Sequence, residues 1–119
     1  MSRIALLVAG LVAALALAAP IGATSSVTKL TGTVGPGFTI TLKKGTAKVK
    51  TLKAGSYKIT VSDKSNIHNF HLKGPGVNKI ITATPFKGTK TVTVKLKKGT
   101  YKYVCDPHAS LMHGSFKVT

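Results

Sequence analysis

Apolar and polar positions alternate in short runs along the chain from Ser25 onward, and turn residues separate the runs. Alternation with a period of two is typical of β-strands that bury one face. No stretch after Ser25 has helical periodicity of useful length. Seven or eight short strands in about 95 residues predict an all-β fold, a two-sheet β-sandwich with Greek-key connections. The predicted strands cover Val27–Val34, Phe38–Leu42, Ala47–Leu52, Tyr57–Val61, Ile67–Leu72, Thr89–Leu96, Tyr101–Cys105 and Ser115–Val118.

The same pattern assigns inward-facing positions, one sheet edge and one irregular segment. Phe38, Ile40 and Leu42 alternate with threonines and should share a buried face. The threonine-rich first strand, Val27–Val34, is expected at a sheet edge. Val77–Pro85 lacks regular alternation and is expected to be irregular.

One turn-and-strand unit occurs twice in the sequence. Leu52–Val61 aligns without gaps on Leu96–Cys105, and Cys105 falls where Val61 lies in the first copy. Alternate residues of the first copy are apolar and predict a core face, so the matching residues of the second copy should face the core too. The sulfur of Cys105 is therefore expected to emerge from the buried side at the end of a strand.

The N-terminal segment has the pattern of a secretory signal peptide. One arginine stands among the first three residues, and an uncharged apolar run, Ile4–Ala19, follows it. Small residues allow cleavage after Ala18 or Ala23. The alternative is an uncleaved membrane anchor, although the run is shorter than the roughly 20 residues that span a bilayer comfortably. We predict a signal peptide at residues 1–23 and a single exported domain at residues 24–119, in the periplasm, at the cell surface or outside the cell.

The charge balance of the chain is strongly basic, with 18 lysines and arginines against two acids and a net charge of +16. Removal of the signal segment would leave no arginine, the residue that reads guanine edges and stacks on bases. The lysines are also spread along the whole chain. We therefore expect no nucleic-acid binding. The charge favours acidic partner proteins and an anionic cell-wall or membrane surface.

Candidate chemistry is concentrated in one segment near the C-terminus, Tyr103–Gly114. It holds the only cysteine, Cys105, together with His108 and Met112. A thiolate, an imidazole and a thioether form a soft ligand set that selects copper over hard cations. Metal ligation also explains a lone cysteine in an exported protein, where an exposed thiol would oxidise. A trigonal copper site with an axial methionine needs one further histidine.

Two upstream histidines, His68 and His71, are candidates for that ligand. Alternation along the predicted strand places His68 on the same face as Phe70 and Leu72, the natural core pair. His71 should then lie on the outer face. The pattern favours His68 as the metal ligand and leaves His71 as an alternative contact.

Taken together, these motifs resemble the blue copper proteins of the plastocyanin and cupredoxin family. The resemblance rests on Gly-x-Tyr-x-Tyr-x-Cys-x-x-His followed by Met, with His-Asn on another strand, and covers about Val27 to Thr119. It implies a cupredoxin-like sandwich with one type 1 copper ion. The implied ligands are the histidine of the His-Asn pair, the cysteine, the loop histidine and the loop methionine: His68, Cys105, His108 and Met112. Asn69 would hydrogen-bond to the cysteine-bearing loop.

The loop departs from the family pattern in one spacing. Plastocyanins place four residues between the loop histidine and the methionine and amicyanins place two, whereas three stand between His108 and Met112. With four residues after His108, as in plastocyanins, the next position is occupied by His113. The thioether suits a weak axial position better than imidazole does, so Met112 is favoured and His113 remains an alternative or secondary metal contact.

The resemblance implies a one-electron carrier between redox partner proteins, with the edge of His108 as the electron port. The sequence offers no carboxylate beyond Asp63 and Asp106 for acid–base catalysis, and Ser110 has no triad around it. We therefore expect no enzymatic activity, and we expect a monomer. The alternative is an extracytoplasmic copper-handling protein, a chaperone or buffer. His71 and His113 keep that alternative open, because an electron carrier needs neither.

Overall fold

The computed structural model describes residues 27–119, so the predicted signal segment at residues 1–23 lies outside the described residues. No helix within residues 27–119 has the length and apolar character needed to cross a membrane. These residues form β-strands and one short 3₁₀ turn, Asp106–His108. The strands are β1 (Thr28–Val34), β2 (Ile40–Lys44), β3 (Ala47–Lys48), β4 (Thr51–Leu52), β5 (Gly55–Asp63), β6 (Phe70–Gly74), β7 (Val77–Thr82), β8 (Gly88–Leu96), β9 (Gly99–Val104) and β10 (His113–Val118).

The strands form two five-stranded sheets that enclose one core. The first sheet has the order β3-β2-β1-β5-β8, and the second has the order β4-β10-β9-β6-β7. Both sheets are mixed, because β1 pairs parallel to β5 and β4 pairs parallel to β10. The predicted all-β sandwich is confirmed, with ten strands in place of seven or eight. Part of the difference is local, since the predicted strand Ala47–Leu52 is divided into β3 and β4.

Two details of the strand prediction are wrong. Strand β1 lies between β2 and β5 in the middle of its sheet, not at an edge. A parallel neighbour requires a long crossover, and residues 35–54 supply it by forming β2, β3 and β4. The segment expected to be irregular forms β7, which pairs with β6 from Gly74↔Val77 to Phe70↔Thr82 with one register shift. That shift breaks the alternation that would have revealed β7.

Alternate residues of both sheets fill the core. The two copies of the repeated unit, now β5 and β9, bury the faces that the sequence predicted. The phenol rings of Tyr101 and Tyr103 are almost completely buried, and each stacks near the ring of Phe116. The buried residues of the two copies are Leu52, Tyr57, Ile59, Val61, Leu96, Tyr101, Tyr103 and Cys105.

The pairing around β9 brings two loops to one end of the sandwich. Val104, at the end of β9, is opposite His71 of β6 on one side and His113 of β10 on the other. The loop before β6 and the loop between β9 and β10 therefore lie side by side. The strand predicted at Ile67–Leu72 begins only at Phe70, so His68 belongs to the loop that leads into β6.

Candidate metal centre

Backbone hydrogen bonds fix the loop between β9 and β10. The amide of Cys105 donates to the carbonyl of Met112 (3.0 Å), which closes the base of the loop. The amide of His108 donates to the carbonyl of Cys105 (3.1 Å), and the amide of Met112 donates to the carbonyl of His108 (2.9 Å). Pro107 lies inside the 3₁₀ turn, where its fixed φ suits the first helical positions. The three candidate ligands of this loop thus sit on a backbone with little freedom.

Three soft donor atoms converge at this end of the sandwich. The Sγ of Cys105 lies 3.7 Å from the Nδ1 of His68 and 3.6 Å from the Nδ1 of His108, and the two Nδ1 atoms are 3.1 Å apart. Bonds of roughly 2.0–2.3 Å to nitrogen and sulfur in a trigonal plane would separate the donors by about 3.5–4.0 Å. The triangle is therefore the right size for one metal ion, after a small separation of the two imidazoles.

The other candidate contacts differ sharply in their positions. Met112 is fully buried four residues after His108 in the same loop, whereas His113 is exposed at the first position of β10. Within residues 27–119, the cluster of histidine, cysteine and carboxylate donors comprises His68, Cys105 and His108, without His71 or His113. The structure thus brings the three predicted in-plane ligands together and leaves the two alternative histidines outside the cluster.

Asn69 links the loop before β6 to the cysteine-bearing loop, as the resemblance implied. Its backbone amide points at the Sγ of Cys105 at 3.5 Å. Its side chain donates to Oδ2 of Asp106 (2.8 Å) and accepts from the amide of Asp106 (2.7 Å). This reciprocal pair holds the donor-bearing segments against each other, and the Asn69 backbone amide adds a hydrogen bond to the sulfur of Cys105.

His71 takes part in the site through Asp106. Its Nδ1 lies 2.8 Å from the Asp106 carboxylate, and its Nε2 faces the side-chain oxygen of Asn78. Burial raises the pKa of Asp106, but hydrogen bonds from Asn69 and His71 and the charges of His71 and Lys73 outweigh it, so the pKa lies below the usual 3.8. Sequence reasoning assigned no role to Asp106 beyond its charge, although an acid directly after the only cysteine was a usable signal.

Phe38 covers the two imidazoles instead of joining the core. It is 55% exposed and precedes β2, so its prediction as a buried strand residue is wrong. Its ring meets His108 edge-on with the centroids 4.9 Å apart, and His68 at 5.6 Å. An aromatic edge carries partial positive charge and packs favourably on a ring face. Phe38 therefore places an exposed apolar ring against both imidazoles, and Leu111 is an exposed apolar residue of the ligand loop.

A β-sandwich that brings two histidines and a cysteine together at one end, with a buried methionine in the same loop, has the residues of a blue copper site. The family model described as copper binding proteins, plastocyanin/azurin family, matches residues 38–119, and the chain belongs to that family. Its cofactor is copper. The donor chemistry of this structure agrees, because thiolate and thioether favour copper over hard cations.

Solved structures with the same fold include several of rusticyanin. One rusticyanin crystal structure superposes with a TM-score of 0.55 at 23% identity, over 76% of each chain. A rusticyanin variant with methionine replaced by glutamine gives 0.54 at 26% identity, again over 76% of each chain. A chain of a heme-copper terminal oxidase dimer gives 0.53 at 22% identity, over 76% of this chain and 63% of the other. A search of curated protein sequences found no significant match.

Proposed function

We propose that this protein is an exported one-electron carrier that moves between redox partner proteins and has no enzymatic activity. One observation carries the proposal, the triangle of donor atoms from His68, Cys105 and His108 with sides of 3.1 to 3.7 Å. Two imidazoles, one thiolate and a weak axial thioether form the ligand set of electron-transfer copper. His68, Cys105, His108 and Met112 would hold the ion. When bound, copper supplies one-electron redox chemistry at this site.

Limited access to the donors supports a carrier over an enzyme. His68, Cys105 and Met112 are fully buried, and Phe38 lies against the partly exposed His108. A catalytic metal keeps one coordination position open to water or substrate. The burial of these side chains limits the access of water and substrate to the donor atoms, as the carrier role requires.

The rigidity of the surrounding chain also supports electron transfer. Backbone hydrogen bonds close the ligand loop, and the Asn69–Asp106 pair ties it to the segment that carries His68. Groups held in place before a charge change need not reorganise during it, and this lowers the barrier to the change. The role proposed for these residues is to keep the donor atoms in one arrangement in both oxidation states.

The proposed electron port is the partly exposed edge of His108. Phe38 and Leu111 give the surface around it an apolar character, while lysines dominate the charge of the remaining surface. An apolar contact of limited area suits weak, short-lived redox encounters. Complementary charge then raises the rate at which an acidic partner arrives.

A spectroscopic copper titration tests the proposal. We expect an intense blue absorption band that saturates at one equivalent of cupric ion, disappears on reduction and returns on reoxidation over many cycles. Cys105→Ser should abolish the band because it removes the thiolate. Ser110→Ala, in the same loop but at an exposed position, is the matched control and should retain it.

A competition experiment separates electron transfer from copper handling. The reduced, copper-loaded protein is mixed with a cuprous chelator, and loss of copper is followed after reoxidation by the blue band. An electron carrier should retain its copper through repeated redox cycles. Rapid loss of cuprous ion to the chelator would instead support a copper chaperone or buffer, and absence of the blue band would contradict both the ligand set and the carrier role.

A further inference from the structure

Asp63, the last residue of β5, carries a buried carboxylate at the inner face of its sheet. Alternation along β5 turns it inward, and only 2% of its surface is exposed. Its Oδ1 accepts a hydrogen bond from the backbone amide of Ser65 (3.2 Å). Its Oδ2 is buried and has no hydrogen-bond partner among residues 27–119. A buried carboxylate oxygen without a partner costs free energy, so this position needs a donor.

His68 has a buried nitrogen that needs an acceptor. The side chain is fully buried, and its Nδ1 is one of the converging donor atoms. An imidazole that binds a metal through Nδ1 carries its proton on Nε2. Within residues 27–119, the buried side-chain nitrogen and oxygen atoms without a partner are this Nε2 and the Oδ2 of Asp63. One is a donor and the other is an acceptor.

Gly35 shows that the two groups belong to one small region. Its φ is +73°, and a methyl group on its α-carbon would lie 3.0 Å from Cδ2 of His68 and 3.6 Å from the backbone nitrogen of Ser65. In the imidazole ring, the bond between Cδ2 and Nε2 is opposite Nδ1. The Ser65 nitrogen is the atom that donates to Asp63. The carboxylate is therefore held on the side of His68 that faces away from the metal.

The loop between the two residues is fixed by its own hydrogen bonds. The amide of Lys64 donates to the carbonyl of Val34 (2.9 Å), which ties the start of the loop to β1. The Oγ of Ser65 accepts from the amide of Ile67 (3.3 Å), directly before His68. These bonds hold the carboxylate and the imidazole at a constant separation.

We propose that one ordered water joins Asp63 to His68, accepting from the Nε2–H and donating to Oδ2. Buried waters commonly satisfy such polar atoms, and a water bridge is enthalpically nearly as good as a direct hydrogen bond. A carboxylate in this position fixes the ring of a metal-binding histidine and raises its basicity. Asp63 is thus a positioning residue for copper that does not touch the ion. This inference depends on His68 as a copper ligand and not on the electron-carrier function.

The first test is NMR spectroscopy of the isotope-labelled, full-length protein with cuprous ion bound, a diamagnetic state. We expect the Nε2–H of His68 to exchange slowly with solvent and to show cross-relaxation with a long-lived water. His108 is the internal reference. Its side chain is partly exposed, so its ring N–H should exchange much faster.

Substitutions at position 63 test the carboxylate itself. Asp63→Asn keeps the shape and one acceptor oxygen for Ser65, but it places a donor at the second position. Asp63→Ala removes both oxygens. We expect each variant to weaken the binding of cupric ion by about 10- to 100-fold and to accelerate exchange of the His68 ring N–H. The reduction potential should rise, because a less basic imidazole stabilises cupric ion less.

Ser65→Ala is the matched control in the same loop. It removes the acceptor of the Ile67 amide but leaves the backbone amide that donates to Asp63. This variant should retain the slow exchange of the His68 ring N–H and the wild-type reduction potential.

The outcomes separate this inference from the ligand set and from the proposed function. Equal changes in potential for Asp63→Asn and Ser65→Ala would show that Asp63 acts only through the loop, and would overturn the water bridge. Unchanged ring N–H exchange in Asp63→Ala would do the same, since another acceptor would then hold Nε2. If neither variant at position 63 folds, the wild-type spectrum decides alone: a blue protein without the water cross-relaxation overturns this inference and leaves the carrier role intact. A wild type without the blue band overturns the ligand set and this inference with it.

Discussion

Asp106 connects the ligand loop to two neighbouring residues of the segment around His68, namely Asn69 and His71. It exchanges two hydrogen bonds with Asn69, accepts a third from His71 and lies directly after Cys105 in the chain. His71 is in turn anchored at its other nitrogen by Asn78 of β7. The position of the thiolate therefore depends on an acid–histidine pair that does not touch the metal.

Replacing His71 by alanine tests this dependence. The substitution removes one charge-assisted and one neutral hydrogen bond, so we expect the free energy of unfolding to fall by about 1–3 kcal/mol. We also expect a change in the blue band and in the reduction potential, because the Asn69–Asp106 pair loses its support. Denaturant unfolding and voltammetry measure the two effects.

His113→Ala is the control for His71→Ala. His113 is exposed and lies outside the donor cluster, so its removal should change stability by less than about 0.5 kcal/mol. A reduction potential that responds equally to the two substitutions would contradict the bracing role of His71.

The lowered pKa of Asp106 predicts a specific acid dependence. Because the folded state holds this pKa below 3.8, the folded protein binds the proton less readily than the unfolded chain does. The stabilisation is therefore complete above the unfolded value and is lost as the pH falls through the folded pKa. Below about pH 4, Asp106→Asn should show a shallower decline of the melting temperature than the wild type.

Copper-free protein is the right material for this pH series, because acid also protonates the ligands and releases the metal. Melting curves recorded from about pH 6 to about pH 2.5 cover the relevant range. Parallel declines of wild type and variant throughout that range would show that Asp106 has no linkage to folding.

At the scale of elements, the β9–β10 hairpin sets the shape of the ligand loop. Gly114 is opposite Tyr103 in this pairing, and the ring of Tyr103 occupies the space where a side chain at Gly114 would lie. Burial raises the pKa of Tyr103 above its usual 10.0, although a backbone hydrogen bond with Leu42 opposes this. The neutral phenol thus packs tightly beneath the hairpin, two residues before Cys105.

Gly114→Ala should therefore disturb the hairpin more than the small size of one added methyl group suggests. The added methyl group overlaps the Tyr103 ring, and overpacking of this type costs about 1–3 kcal/mol in the free energy of unfolding. Gly37→Ala is the control, since a methyl group there has no atom within 4 Å. Denaturant unfolding of both variants measures the difference, and equal stabilities would show that Tyr103 has room to move.

Local repetition in the sequence was enough to predict the elements that carry the site. The two copies of the turn-and-strand unit fixed which faces of β5 and β9 are buried, and hence the inward direction of Cys105. Alternation along the predicted strand also placed His68 with Phe70 on the buried side. Both residues are buried, although His68 lies in a loop. These predictions succeeded because alternation and turn chemistry are properties of neighbouring residues.

Features that depend on distant segments were not predictable in this way. Phe38 has the pattern of a strand residue, and its contact with His68 and His108 exists only because three loops meet at one end of the sandwich. The His71–Asp106 pair joins positions 35 residues apart. The His71–Asp106 contact follows from the pairing of β6 with β9, and the Phe38 contacts follow from the packing of the two sheets; local alternation specifies neither.

At the scale of the whole molecule, the copper site joins two segments that are far apart in the chain. His68 comes from the loop before β6, and the other predicted ligands come from the loop after β9. An ion bound by both loops stabilises only the folded arrangement, since the unfolded chain does not hold them together. Copper binding and the pairing of β6 with β9 should therefore strengthen each other.

The complete burial of Cys105 has a consequence for the lifetime of the protein. The only thiol of the chain is inaccessible while the sandwich is intact, so oxidants and other thiols reach it only when the molecule opens. Opened molecules in an oxidising compartment can couple through their single sulfurs and are then lost to refolding. The durability of the protein in air is thus set by how often it opens, and bound copper, by making opening rarer, preserves the sulfur that holds it.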